Sequence, residues 1–251
     1  PYMNYGKKAA KGKEQKLDAK GKKIRNKFGV LLGKALLVSV LLLGVVGISS
    51  GIGVWKGIVD SAPDISAMDV TPTGYLTTVY ASDGTEVATL VASGSNRKYV
   101  TIDEIPVNLQ HAFVAIEDER FYTHNGIDPK GIVRVVFQGI SHGFHFNQGA
   151  STITHQLLKN SVLSEDWEGE LTGKHSKIEK VQRKIQEQYL AVELEKQVQN
   201  KEWILENYMN TINLGNNTLG VQSASLRYFG KDVSELTLSE CAVIAGITNN
   251  P

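Results

Sequence analysis

The sequence predicts a mainly α-helical body set behind one transmembrane helix, with a small β appendage. Three observations lead there. Ala35 to Trp55 is a run of 21 residues without a charge, long enough to cross a hydrocarbon layer of about 30 Å as a helix. From about residue 103 onward, apolar residues recur at three- and four-residue steps, interrupted by helix start and stop signals. Between these regions, residues 75–90 alternate in the manner of strands around Ser82-Asp83-Gly84.

Residues 1–34 hold eleven Lys/Arg against only Glu14 and Asp18, although the 251-residue chain has a net charge of +1. A basic tail on an acidic body can mark a nucleic-acid binder, but the apolar run after it argues for a membrane surface and against nucleic acid. Lys34 and Lys56 flank the span and Trp55 sits at its edge. The excess of positive charge before the span places the N-terminus in the cytoplasm and the body outside. A cleaved signal peptide is the alternative. The run exceeds the ~7–15 residues of a signal core, and no clean Ala-x-Ala site comes after it. Residues 1–34 are expected to be a disordered cytoplasmic tail, 35–55 the anchor and 56–74 a linker with Pro63 and Pro72. Residues 75–100 form the β segment, with Arg97 to Val100 offering a further short strand. A piece this small needs support from the helical region beyond it.

Residues 101–251 are expected to form one helical domain. A helix runs through Leu109, Ala112, Phe113 and Ile116. Asp128-Pro129 opens another, with Asp as N-cap and Pro in the first turn; Ile132, Val133, Val136, Phe137 and Ile140 are its expected core face. Residues 141–149 and 164–176 read as loops, with a helix from Ser151 to Leu158 between them. Lys177 to Gln199 carries Ile178, Val181, Ile185, Tyr189 and Val192 as its apolar stripe. Residues 201–212 bury Trp203, Ile204, Tyr208 and Ile212, and a helix from Val221 to Phe229 closes on Gly230. Thr237-Leu-Ser-Glu240 is a capping box for the last helix. Cys241, the single cysteine, sits in an apolar run and reads as a small core residue.

Three stretches carry candidate chemistry. Glu117 lies where an apolar helix (Ala112 to Ile116) meets a polar segment that ends at Gly126. A carboxylate half out of an apolar wall suits a general base, whereas the plain alternative is a solvated helix end. Gly149-Ala-Ser-Thr-Ile-Thr-His-Gln-Leu-Leu-Lys159 gathers hydroxyls at a helix start with a lysine two turns on, which suits phosphate oxygens or simple capping. Arg183, Lys184 and Glu187 share a helix face opposite the apolar stripe, as a surface ion pair or as part of a site. His142 and His145 have metal-like spacing but no third ligand nearby.

Taken together, these stretches resemble a known family. Glu117-Asp118-x-x-Phe121-x-x-His124-x-Gly126 comes first, then Gly149-x-Ser151-Thr152-x-Thr154-x-Gln156-Leu157-x-Lys159-Asn160. Arg183-Lys184-x-x-Glu187-x-x-x-Ala191, Ile204-x-Glu206-x-Tyr208-x-Asn210 and Ala242 to Gly246 complete the series. In this order they resemble the five motifs of the peptidoglycan glycosyltransferases, glycosyltransferase family 51, as found in class A penicillin-binding proteins. The resemblance implies a lysozyme-like helical fold on the outer face of the cytoplasmic membrane. It implies polymerisation of lipid II into a lipid-linked glycan strand, with inversion at C1 of the donor N-acetylmuramic acid and release of undecaprenyl pyrophosphate. Glu117 matches the general base and Glu187 the second essential carboxylate. Asp118, Phe121, His124, Ser151, Thr152, Gln156, Lys159, Arg183 and Lys184 match substrate-binding positions. No cofactor is obligatory; a divalent cation, Mg or Mn, held through Glu187 is the one the resemblance allows. Other cell-wall synthesis proteins are the partners it suggests. His155 stands where the family commonly has glutamine and Ala150 where it has glycine, which points to tuned binding.

Two other readings compete. A lysozyme-like hydrolase would share the fold, but Lys159, Arg183 and Lys184 suit a pyrophosphate that finished glycan does not offer. A non-catalytic cell-wall binding module would not need both Glu117 and Glu187. A chain that starts at Pro1 and stops at Pro251 without a transpeptidase motif is expected to be part of a longer, bifunctional protein.

Overall fold

A computed structural model of the chain describes residues 7–75, 77–90, 97–141, 149–163, 176–216 and 218–249. Among the described residues are eight α-helices and one two-stranded antiparallel sheet, so the chain is mainly α as expected. It divides into two compact units, Pro1–Gly57 and Ile58–Pro251.

Helix α1 (Lys7–Asp60) dominates the first unit. It extends well beyond the uncharged run at both ends, where a disordered tail and a linker were expected. Lys and Ala, good helix formers, make up more than half of residues 7–27, and no proline occurs between Pro1 and Pro63. From Phe28 to Trp55 its large apolar side chains are exposed on all sides. Lys27–Asp60 is long and apolar enough to cross a membrane.

The second unit begins with chain that is not a free linker, since Ile65 and Val70 are buried in the core. Strands β1 (Thr77–Tyr80) and β2 (Glu86–Leu90) pair antiparallel with a bulge at Val79/Tyr80. Gly84 takes a φ of 84° in the turn, and Asp83 accepts the Thr85 amide at 2.9 Å. The hairpin is largely solvent-exposed: Val79, Tyr80, Val87 and Leu90 are all outside the core. Support comes instead from its flanks. The expected third strand reduces to a single bridge, Tyr75 to Arg97, and the chain then docks at Val100.

The helical core is built from α2 (Val107–Glu117), α4 (Ile153–Ser161), α5 (Lys177–Val198), α6 (Lys201–Thr211), α7 (Val221–Phe229) and α8 (Leu238–Gly246). Helix α2 packs on α8, and α4 packs on both α5 and α6. Helix α6 is the central post. Ile204, Leu205, Tyr208 and Met209 are fully buried. On its other side Asn210 donates to Val100 O at 2.8 Å and accepts the Val100 amide at 3.0 Å. Glu206, one turn earlier, accepts from the Tyr99 hydroxyl and from the Ile102 amide. The α6 motif therefore clamps the entering chain as well as filling the core. Cys241 is buried on α8, and burial pushes its thiol pKa up, in keeping with an inert core residue.

Two apolar stripes face the other way from expectation. Helix α3 (Pro129–Ser141) leaves Val133, Val136, Phe137 and Ile140 exposed and buries Gly131 and Gly139. Helix α5 leaves Ile178 and Val181 exposed and buries Glu187, Leu190, Ala191 and Leu194. Those four also recur at three- and four-residue steps, so periodicity alone fits both faces; a carboxylate disguised the buried one. The expected loops at 141–149 and 164–176, with His142 and His145, lie almost wholly outside the described residues.

One close approach fixes the geometry around the first motif. Gly126 has a φ of 88°, and a Cβ there would lie 2.5 Å from Ala191 O on α5. Only a glycine lets this turn press onto the helix backbone. Gly126→Ala is expected to cost about 2 kcal/mol or more of unfolding free energy, read by denaturant titration. A loss under about 0.5 kcal/mol would mean that the turn and α5 separate easily.

Candidate active site

Helix α2 ends at Glu117, and the next residue, Asp118, turns inward. Both Asp118 oxygens lie 2.9 Å from His124 Nε2, so that nitrogen carries the proton and donates. Oδ2 also accepts the Ile153 amide at the start of α4, at 3.1 Å. Carboxylate acceptance at a helix N-terminus is favourable on charge grounds. Asp118 and His124 are 6% and 7% exposed. Their bonds tie the end of α2, the following loop and α4 into one frame.

Thr152 caps the same helix. Its hydroxyl donates to Gly126 O at 2.7 Å and accepts the His155 amide at 3.3 Å. His155 completes a capping box, accepting the Thr152 amide on Nδ1 at 3.0 Å. Glutamate or glutamine usually does this. With Nδ1 accepting, the proton sits on Nε2, which is buried without a partner. Burial, then the charges of Lys184 and His124, lower the His155 pKa to about 3. His155 is thus a neutral structural residue, not one that tunes binding from the cleft as expected.

With the backbone held this way, a pocket of about 130 Å³ opens beside Glu117. Residues 115–120 form one wall, Asp128, Gly131 and Arg134 a second, and 149–152 a third. Glu117 Oε2 accepts from Gln156 Nε2 at 2.6 Å. Ser151 brings in the cations of α5: Lys184 Nζ donates to Ser151 Oγ at 3.1 Å and to Glu187 Oε2 at 3.0 Å. Arg183 Nε lies 3.3 Å from Glu187 Oε1. Glu187 is only 2% exposed, and its two cations compensate a charge that would otherwise be costly to bury. The Lys184 side chain remains about half exposed (49%) and can meet an incoming anion.

The sequence-predicted residues therefore separate into two groups. In one, Glu117 and Ser151 line the pocket, Gln156 bonds Glu117, and Lys184 links Ser151 to Glu187, which Arg183 flanks. Lys159 is half-buried on α4, one turn beyond Gln156. Asp118 and Thr152 border the pocket, but their side chains bond inward. Phe121 is fully buried, edge-on to Tyr122 and His124, with Lys201 Nζ 4.4 Å from its ring centre. Asp118, Phe121, His124 and Thr152 thus build the frame and do not present side chains to a ligand. Motif spacing marks such residues without telling frame from lining.

Arg120, Asp128, Gly131 and Arg134 line the pocket but lay outside the sequence-predicted set. Arg120 donates to Asp128 through Nε at 3.1 Å and through Nη2 at 2.7 Å. That pairing draws the Asp128 pKa down to about 2. Gly131 leaves room for the carboxylate, since a Cβ there would lie 2.2 Å from Asp128 Oδ2. Arg134 lines the same wall. The available signal was a lone arginine within the apolar stripe of α3. For a divalent ion, the donor set fits poorly. Glu187 is a single carboxylate already faced by two cations, and among the described residues no three His, Cys, Asp or Glu side chains converge.

A family profile described as Transglycosylase matches residues 83–251. Penicillin-binding protein 1A of Clostridium tetani is 38% identical over 217 residues, covering 85% of this chain and 26% of that protein. The protein of the same name from Clostridium acetobutylicum is 46% identical over 165 residues, covering 64% of this chain and 19% of its own. That of Escherichia coli K12 is 38% identical over 219 residues, covering 87% and 24%. The chain thus spans about a quarter or less of the length of these relatives.

Buried neutral His155 gives a pH prediction. Its folded pKa lies below the unfolded value, so its neutral form stabilises the fold fully above about pH 6.5, and that stability is lost as pH falls toward 3. The unfolding midpoint is expected to drop between about pH 6.5 and 4, above the range where Asp128 titrates. His155→Gln, which keeps a capping acceptor, should flatten that drop. Equal slopes in parent and variant, read by thermal melts across this range, would assign it elsewhere.

Proposed function

The chain belongs to the transglycosylase family, and on that premise we propose that it polymerises lipid II into peptidoglycan glycan strands. One observation carries the reading. A carboxylate at the end of an apolar helix lines a pocket together with Ser151, whose hydroxyl accepts from Lys184, a half-exposed cation paired with buried Glu187 beside Arg183. That pairs a proton acceptor with a seat for a departing anion.

In the proposed step, Glu117 takes the proton of the acceptor N-acetylglucosamine 4-hydroxyl. The oxygen attacks C1 of the donor N-acetylmuramic acid, and the bond from C1 to the phosphate oxygen breaks with its electron pair on undecaprenyl pyrophosphate. Attack opposite the leaving group inverts the anomeric centre. Lys184, Arg183 and Lys159 hold the pyrophosphate charge, and Glu187 holds Arg183 and Lys184 in place. A leaving group stabilised by cations needs no strong general acid, so one base suffices where most glycosidases use two carboxylates. The step needs no resident cofactor. Ser151 positions Lys184 by accepting its hydrogen bond.

Helix α1 is the proposed anchor, with its basic end in the cytoplasm and the helical body outside. It would keep the enzyme at the membrane that holds its substrate. The exposed stripe Val133, Val136, Phe137 and Ile140 on α3 suits contact with the acyl boundary.

Glu117→Gln is expected to abolish glycan-strand synthesis from lipid II while the protein still binds undecaprenyl pyrophosphate. Retention of most activity would remove Glu117 from the role of base. Lys184→Ala should lower kcat/KM by about 100-fold. Phe137→Asp should weaken binding to anionic vesicles once α1 is removed, measured by co-sedimentation; unchanged binding would rule out the α3 stripe as a lipid contact.

A further inference from the structure

Behind Glu117 lies a buried group that the proposed chemistry does not use. Gln156 bridges two partners. Its Nε2 donates to Glu117 Oε2 at 2.6 Å, and its Oε1 accepts from the Tyr208 hydroxyl at 3.3 Å. Tyr208 is fully buried on α6, edge-on to Phe113 of α2 with ring centres 6.0 Å apart. Burial, then the charge of Glu117, raises its pKa well above the ordinary phenol value, so the hydroxyl keeps its proton and can only remain a donor or a neutral acceptor.

We infer that Tyr208 is a positioning residue for the general base, acting through the Gln156 amide. The inference rests on the functional reading of Glu117 given above. A carboxylate only accepts hydrogen bonds, so the amide end facing Glu117 must be the NH2 group. The carbonyl end then needs a donor, and fully buried Tyr208 supplies it. Together they fix which end of the amide meets the base. Gln156 engages one carboxylate oxygen; among the described residues no donor engages Oε1, which is left for the incoming hydroxyl.

Without the phenol, the Gln156 carbonyl loses its donor. The amide can then turn and present Oε1 to Glu117, where two acceptors would face each other and the carboxylate is no longer held. Other charges border the pocket: Asp118, Glu119 and Arg120 on the α2 side, and Asp128 and Arg134 on the α3 side; Lys184, paired with Glu187, meets it through Ser151. None of these is altered in Tyr208→Phe, which also keeps the ring packed on Phe113.

The test is the steady-state kinetics of lipid II polymerisation by the whole chain, its Tyr208→Phe and Gln156→Leu variants and the double variant. Tyr208→Phe should lower kcat by about ten-fold with KM within about two-fold. Gln156→Leu should do at least as much, and the double variant no more than Gln156→Leu alone. A loss carried by KM with kcat unchanged, or losses that add in the double variant, would overturn the relay. The Gln156 side-chain amide resonances provide a readout independent of turnover. They should show one strongly hydrogen-bonded, exchange-protected NH2 group in the parent that becomes averaged in Tyr208→Phe. An inert parent would refute the functional reading, and these spectra would still decide the relay: unchanged resonances in Tyr208→Phe refute it.

Discussion

The arrangement of the site depends on one buried carboxylate. Asp118 accepts from the imidazole of His124 and from the first amide of α4. These three groups come from the end of α2, the loop after it and a helix some 35 residues further on. Removing the carboxylate would leave a buried imidazole donor and a buried amide unpaired, at a cost well above that of an ordinary hydrogen bond. Because Glu117 is the immediately preceding residue, the fixed direction of Asp118 into the core also fixes Glu117 at the wall of the pocket. One peptide unit separates the group that anchors the frame from the group that faces the pocket.

The same division recurs along the other motifs. Thr152 bonds inward while its neighbour Ser151 meets Lys184. On α6, Ile204 and Tyr208 fill the core, while Glu206 and Asn210, on another face, hold residues 99–102. Glu195 bonds Thr154 and Lys201, and Lys201 covers Phe121. Separate segments of the chain are thus locked together by polar groups away from solvent. Such networks are costly unless fully paired, and when paired they hold one geometry.

The sequence made the helices, their caps and the hairpin legible, because these depend on local signals: Asp128-Pro129, Thr237 with Glu240, and Asp83-Gly84. It also pointed to Glu117, Lys184 and Glu187 through motif spacing. What it could not convey was which side of a helix faces inward. Glu187 sits on the buried face of α5 because two cations accompany it, while Ile178 and Val181 lie outside. Periodicity weighs apolar residues and discounts a paired carboxylate. Nor could spacing separate Asp118 from Glu117, adjacent carboxylates with opposite duties. Residues 56–74 looked like a linker because of their prolines, yet Ile65 and Val70 seat the segment in the core. The disposition of Tyr208 behind Gln156 depends on α4 meeting α6, a long-range contact with no local trace.

Helices α3 and α5 carry apolar stripes that the helical unit does not cover. Their effect in water is independent of α1. Cutting away the long N-terminal helix would remove the most apolar segment but leave Phe137, Ile140, Ile178 and Val181 at the surface, and exposed apolar surface is what soluble proteins self-associate through. A preparation freed of that helix would still be an amphiphile.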